Sequence, residues 1–252
     1  MAGKTYFASD FHFGIPDRKR SLVREDLFIQ WLREIRKDAS AIYLMGDLFD
    51  FWFEYKTVVP KGYVRLLGEL ASIADSGTEI HLFRGNHDMW AFDYLETEVG
   101  IQLHREPEIT TIGNSRFYLA HGDGLGPGDL GYKTIKKVFQ SRVNQWLFRW
   151  LHPDFGIRMG LYWSRKSRYS AISDENHVEQ DIDMINKRLV IHSKKMLEEN
   201  SDIRYFIYGH CHVPLEIELS GSCKQLSLGD WITNFTYAVF DGNDLQLCKF
   251  SK

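Results

Sequence analysis

Five short motifs of carboxylate and imidazole residues fall where predicted strands end, and few architectures can satisfy that repetition. They are Asp10-Phe11-His12, Gly46-Asp47-Leu48-Phe49-Asp50, Gly85-Asn86-His87-Asp88, His121-Gly122-Asp123 and Gly209-His210-Cys211-His212. The apolar patterning between them alternates in period. Short buried runs at 6–9, 41–45 and 79–83 read as strands, and amphipathic stretches at 25–37 and 63–74 read as helices. Strand, helix, strand, helix, strand implies right-handed crossovers and largely parallel pairing. Such sheets bind ligands beyond the carboxyl ends of their strands, where the first three motifs lie.

Beyond residue 100 the pattern predicts a hairpin, 109–112 and 116–120 around Gly113-Asn114-Ser115, whose second strand delivers His121. From 130 to about 192 no strand is evident, and several helices break near Pro153 and Ser173. A strand at 203–208 delivers Gly209-His210, and three further strand-like runs follow at 215–219, 236–240 and 245–250. The expectation is a single α/β domain over residues 1–252 with a helical lid inserted at about 125–175.

Composition removes several alternatives. A net charge of −3 offers no global attraction for nucleic acid. Three cysteines without paired spacing argue against a disulfide scaffold and for a reducing compartment. No signal-peptide pattern and no apolar run of about 18 residues is present, so a cytoplasmic protein, at most peripheral to a membrane, is expected. No obligate protein partner is predicted.

Carboxylate, imidazole and amide oxygens suit divalent ions such as Mn²⁺, Mg²⁺, Fe²⁺ or Zn²⁺. A two-metal site holds its ions roughly 3.5–4 Å apart and clamps the attacking and leaving oxygens of a displacement at phosphorus. Asp47 is the candidate bridge, because the preceding glycine lets the backbone turn tightly there. Asp10 and His12, like His210 and His212, are two residues apart and can point to one side of an extended segment. Taken singly, a strand-end aspartate is more often a turn residue, and a lone His-x-His is usually incidental. The five motifs together favour the metal.

The set resembles the calcineurin-like metallophosphoesterases, whose pattern of Asp-x-His, Gly-Asp-x-x-Asp, Gly-Asn-His-Asp/Glu, a lone His and Gly-His-x-His is matched from residue 10 to 212. The resemblance implies a four-layer sandwich of two mixed β-sheets flanked by helices. It implies one ion on Asp10, His12, Asp47 and His212 and another on Asp47, Asn86, His121 and His210. His87 would contact the phosphate, Asp88 would orient it, and Arg84 would help neutralise the phosphoryl oxygens.

The insertion narrows the substrate. Between 131 and 170 stand nine Lys/Arg and one acid, Asp154, amid many aromatics. An apolar, basic flap over a phosphate site suits an anionic lipid, each buried methylene contributing about 0.8 kcal/mol. The bland alternative is a set of helices that pack on the body and expose a solvated basic face. The arrangement also resembles the UDP-2,3-diacylglucosamine diphosphatases of lipid A biosynthesis, through Gly46 to Trp52, His121 to Leu125, Asp129 and Tyr132-Lys133. That likeness implies cleavage of the pyrophosphate to UMP and 2,3-diacylglucosamine 1-phosphate with Mn²⁺, at the cytoplasmic face of a bacterial inner membrane. It implies substrate contacts from Asp129, Lys133, Ser164, Arg165 and Arg168, with Asn86 and His87 also touching substrate. One position departs: the best-known members carry arginine where this chain has His87, so a sister family with another substrate stays open. The rival readings are a soluble phosphodiesterase or phosphatase of the same superfamily, and a non-catalytic adaptor at the membrane surface.

Overall fold

The computed structural model describes residues 3–172 and 175–251, with the side chains of 167–181 outside the description. Two mixed sheets face each other. One has the order β11-β10-β1-β2-β3-β4, from β1 (Lys4–Ala8), β2 (Ala39–Leu44), β3 (Glu79–Phe83), β4 (Gln102–His104), β10 (Thr236–Phe240) and β11 (Leu245–Lys249). The other runs β5-β6-β7-β9-β8, from β5 (Glu108–Ile112), β6 (Ser115–Ala120), β7 (Ile203–Tyr208), β8 (Pro214–Ser220) and β9 (Cys223–Leu228). β1 to β4 pair in parallel, as do β6, β7 and β9. The remaining pairings are antiparallel.

The inner strands β1, β2, β3, β6 and β7 are apolar on both faces, as strands covered on both sides must be. Their period of two sorts the side chains. Phe7, Tyr43 and Phe83 join Phe117, Tyr205 and Leu226 in the layer between the sheets. Tyr6, Ile42, Leu44, Ile80 and Leu82 face outward against α1 (Arg18–Ile35), α2 (Val64–Asp75) and α3 (Tyr94–Val99). The outer face of the second sheet is covered by α7 (Glu175–Glu199) through Leu189.

Between β6 and α7 the chain makes α4 (Leu130–Gln140), α5 (Arg142–Arg149) and α6 (Pro153–Ile172). It docks through Phe148 on Phe53, Tyr55, Met89 and Trp90. α6 approaches closely because Gly156 and Gly160 lack a Cβ: one at Gly160 would strike the Phe51 ring, and one at Gly156 the Tyr55 hydroxyl.

Three local expectations need correction. α1 begins at Arg18, seven residues before the predicted start, because the Asp17 side chain accepts from the Arg20 amide and caps it. β9 is a central strand where no strand was read: its Gln225 is fully buried, with Oε1 accepting from the Ser193 hydroxyl at 2.9 Å. The short α3 and β4 were also unread, and they add one parallel strand to the first sheet.

Candidate metal centre

The strand ends meet on one side of the sandwich. Asp10 and His12 follow β1, Asp47 follows β2, Asn86 follows β3, His121 follows β6, and His210 and His212 follow β7. Five of these seven, Asp10, His12, Asp47, His210 and His212, have φ between 44° and 65°. A left-handed backbone is uncommon for non-glycine residues, and its concentration here marks a site held in a strained form. The motif glycines allow the crowding. A Cβ on Gly85 would collide with the Asp47 carboxylate, and one on Gly209 with the Ser9 hydroxyl and Asp10.

Three imidazoles turn Nε2 inward, each with an oxygen on the Nδ1 side. His121 Nδ1 lies 2.8 Å from the Met45 carbonyl oxygen, which can only accept, so the proton sits on Nδ1. His121 Nε2 then faces Asp47 Oδ2 at 3.4 Å and Asn86 Oδ1 at 3.3 Å. His12 Nε2 faces Asp47 Oδ2 at 3.5 Å and His212 Nε2 at 3.3 Å, with Asp50 Oδ1 3.7 Å from its Nδ1. His212 Nε2 faces Asp10 Oδ1 at 3.5 Å, with Asp230 Oδ2 3.6 Å from Nδ1. An inner lone pair backed by an outer oxygen is how ligating histidines are oriented.

The carboxylates complete the set. Asp47 Oδ1 accepts the His87 amide at 2.9 Å, so Oδ2 is the oxygen left between His12 and His121, the place a bridging ligand needs. Asp10 Oδ2 accepts the His210 amide at 2.8 Å, while buried Asp10 Oδ1 accepts no hydrogen bond. A buried carboxylate oxygen in that state is costly without a cation. The possible ligand groupings overlap: Asp10, His12 and His212; Asp10, Asp47 and His121; His12, Asp47 and His87. The donors therefore fit two adjacent divalent ions.

Charge in the metal-free site follows from burial and neighbours. Burial, against the pull of Asp47, lowers His12 to about 3, and burial with nearby His121 lowers His210 to about 4, so both are neutral and ready to ligate. Burial would also lower His121, but the Asp47 and Asp10 carboxylates outweigh it and hold the ring at about 10. Burial would raise Asp47, yet His121, His87 and His12 keep it well below the usual carboxylate range. Burial and Asp47 push Asp88 up to about 6.

The calcineurin-like phosphoesterase family matches residues 3–214. The chain is a calcineurin-like phosphoesterase. Among curated proteins this phosphoesterase is 35% identical to a UDP-2,3-diacylglucosamine hydrolase of Porphyromonas gingivalis, over 98% of this chain and 97% of that one. It is 26% identical to one from Histophilus somni over 96% and 98% of the two chains. It is 28% identical to one from Aeromonas hydrophila over 97% and 94%. The buried His/Asp clusters are typical of the two-metal site of this family.

Beside the cluster, His87 Nδ1 lies 2.8 Å from the Asp50 carbonyl oxygen and 3.1 Å from Ser164 Oγ on α6. The carbonyl fixes the proton on Nδ1 and leaves Nε2 as the ring's other nitrogen. Asp88, expected to orient His87, instead accepts the amides of Gly85 and Leu48 at 2.7 Å each, and so binds the second and third motif loops together. His87 and Asn86 open onto a cavity of about 460 Å³ whose other walls include Phe51, Met89, Trp90, Ile135, Phe139 and Trp163.

The other sequence candidates divide. Ser164 reaches the site. Arg84 Nη1 donates to the Met89 carbonyl at 2.8 Å and shapes the third motif loop. Asp129 pairs with Arg188 of α7 at 3.1 Å, and Lys133 Nζ donates to the Gly126 carbonyl at 2.5 Å; both contacts hold the start of α4. Arg165 is exposed beside its neighbour Lys166, which lines the cavity. The Arg168 side chain lies outside the described residues. Phe49, Trp52 and Phe53 are fully buried, so of the aromatic run after Asp47 only Phe51 lines the cavity.

Two residues outside the proposed ligand set also serve the site. Asp230 stands behind His212 and accepts the amides of Thr233 and Asn234 at 2.9 and 2.8 Å. Gly229-Asp230 is another Gly-Asp pair at a strand end, a signal hidden only because β9 was not recognised. Asp123, two residues after His121, accepts from the Tyr132 hydroxyl and pairs with Lys136 Nζ at 2.7 Å, anchoring α4.

Proposed function

We propose that the chain hydrolyses the pyrophosphate of UDP-2,3-diacylglucosamine, giving UMP and 2,3-diacylglucosamine 1-phosphate. The observation that carries the reading is the mainly apolar cavity of about 460 Å³ opening from Asn86 and His87, a lining suited to acyl chains. The relatives named above, matched along almost their whole length, support the same substrate class.

Two divalent ions, Mn²⁺ in this reading, would be held by Asp10, His12, Asp47 and His212 and by Asp47, Asn86, His121 and His210, and would supply hydroxide at neutral pH and charge neutralisation. Asn86 and His87 position the scissile phosphoryl group at the cavity mouth. With its Nδ1 proton committed to the Asp50 carbonyl, His87 turns Nε2 to the phosphoryl group and donates there to a phosphoryl or departing oxygen only when that nitrogen carries a second proton. Ser164 ties that ring to α6, so acyl chains seated against the lid also fix the phosphate contact. Phe51, Trp90, Phe139 and Trp163 exclude water from the acyl side.

In this reading the lid also meets the cytoplasmic face of the inner membrane. No helix among the described residues is long and apolar enough to cross a bilayer. The lid exposes Trp146 at 56% and Trp150 at 76% within its basic run, a composition suited to an anionic interface.

His87 favours a second reading. Imidazole does not supply the fixed fork of arginine, so a phosphodiesterase or phosphatase of the same family with a smaller substrate is the alternative. The test is release of UMP by Mn²⁺-loaded protein from UDP-2,3-diacylglucosamine, beside UDP-N-acetylglucosamine and a simple phosphodiester. Preference for the acylated substrate supports the proposal. Equal or better turnover of the simple substrates overturns it in favour of the second reading.

A further inference from the structure

Behind the first motif lies a buried cation aimed at main-chain carbonyls. Arg24, on α1, is 8% exposed. Its Nη2 donates to the carbonyls of His12 at 3.0 Å and Ile15 at 2.6 Å. Its Nη1 donates to the carbonyl of Phe11 and, at 3.4 Å, to that of Trp231. One guanidinium thus gathers three carbonyls of the Asp10–Ile15 turn and one from the loop that carries Asp230.

These carbonyls need a donor for a definite reason. Asp10 and His12 have φ of 58° and 44°, which turns the peptide groups of the loop out of strand geometry. Buried carbonyls must be satisfied, and a left-handed segment persists only where its surroundings over-determine it. The amides of the loop are held from the opposite side, by Asp47 O for Phe11 and His12 at 3.0 and 2.9 Å and by Leu48 O for Phe13 at 3.0 Å. The Trp231 amide donates to Asp10 O at 3.1 Å, and Asn234 Nδ2 to His212 O at 2.9 Å. The loops carrying Asp10, His12 and His212 therefore converge on Arg24 and its immediate partners.

We propose that Arg24 is a positioning residue for one of the two ions, the one shared by Asp10, His12 and His212, and that it acts through geometry rather than charge. A positive charge behind a cation site opposes cation binding, so charge alone would make Arg24 a liability. Its value is the planar fork, which offers donors in several fixed directions at once; the compact ammonium of lysine cannot span four carbonyls. This inference rests on the two-metal reading above.

The experiment is Mn²⁺ titration with metal analysis of the wild type, Arg24→Lys and Arg24→Met, with Leu66→Ala as a destabilised control in the α1–α2 core. Two ions are expected on the wild type and on Leu66→Ala. Both Arg24 variants should hold one ion at wild-type affinity and bind the other roughly 10–100-fold more weakly. Two tightly held ions on Arg24→Lys would overturn the proposal, as would Arg24→Lys matching the wild type while Arg24→Met does not, since charge would then be the cause. A wild type that binds no metal would sink the two-metal reading itself. Should the Arg24 variants not fold, hydrogen exchange of the metal-free wild type decides: the amides of Phe11, His12, Phe13 and Trp231 should be protected before metal is added. Exchange at the rate of an open loop would show that the turn is not pre-formed and overturn the role.

Discussion

Asp47 and His87 are neighbours with separable tasks. The Asp47 carboxylate receives the His87 amide on one oxygen and presents the other to His12 and His121, whereas His87 is fixed by Asp50 and Ser164. His87→Ala should therefore lower kcat by about 10²- to 10⁴-fold with two ions retained, as for loss of a proton donor. Loss of metal in that variant, read by elemental analysis, would make His87 a ligand. The proton on His121 gives a pH prediction. With the ring held at about 10 by Asp47, it is protonated at pH 7–8, and an ion binding Nε2 must expel that proton. Metal affinity should rise with pH, about tenfold per unit for each proton released. Calorimetry in buffers of different ionisation enthalpy should show proton release, and a buffer-independent enthalpy would refute it.

At the scale of elements, α6 joins the apolar cavity to His87 beside the proposed metal centre. Gly160 lets it lie on the Phe51 ring, and Ser164, one turn later, reaches His87. Gly160→Val should push α6 outward at an overpacking cost of about 1–3 kcal/mol. The expected result is a larger loss of kcat/KM for the acylated substrate than for a simple phosphodiester. Equal losses would show that the lid does not select the substrate. The same helix shows where sequence reading stops. Ser164 and Arg165 are adjacent, but a helix turns about 100° per residue, and packing alone decides that Ser164 points in and Arg165 out. The proposed ligands were legible because strand ends and their motifs are local features. β9 was not, because Gln225 and Ser227 are polar and are buried by pairing with β7 and β8. Arg24 was hidden too: it lies just before the predicted helix at 25–37, where an arginine reads as a surface residue until its carbonyl partners are known.

At the scale of the whole molecule, strand ends of two sheets are brought to one edge, with the proposed ligands drawn from both. Asp10 and Asp47 come from the first sheet, and His121, His210 and His212 from the second. An ion held between them would tie the sheets together, so metal should stabilise the fold as well as serve the reaction. Saturation at about 100 times Kd corresponds to roughly 2.7 kcal/mol per site. Chelation should lower Tm by several degrees, and an unchanged Tm would mean the ions do not bridge the two sheets.

Asp47 is proposed as the residue shared by two ions. Metal analysis of the purified chain beside its Asp47→Ala variant tests this most directly. The wild type should hold two divalent ions per chain and the variant neither. Wild-type metal content in the variant would contradict the arrangement of the centre and the mechanism built on it.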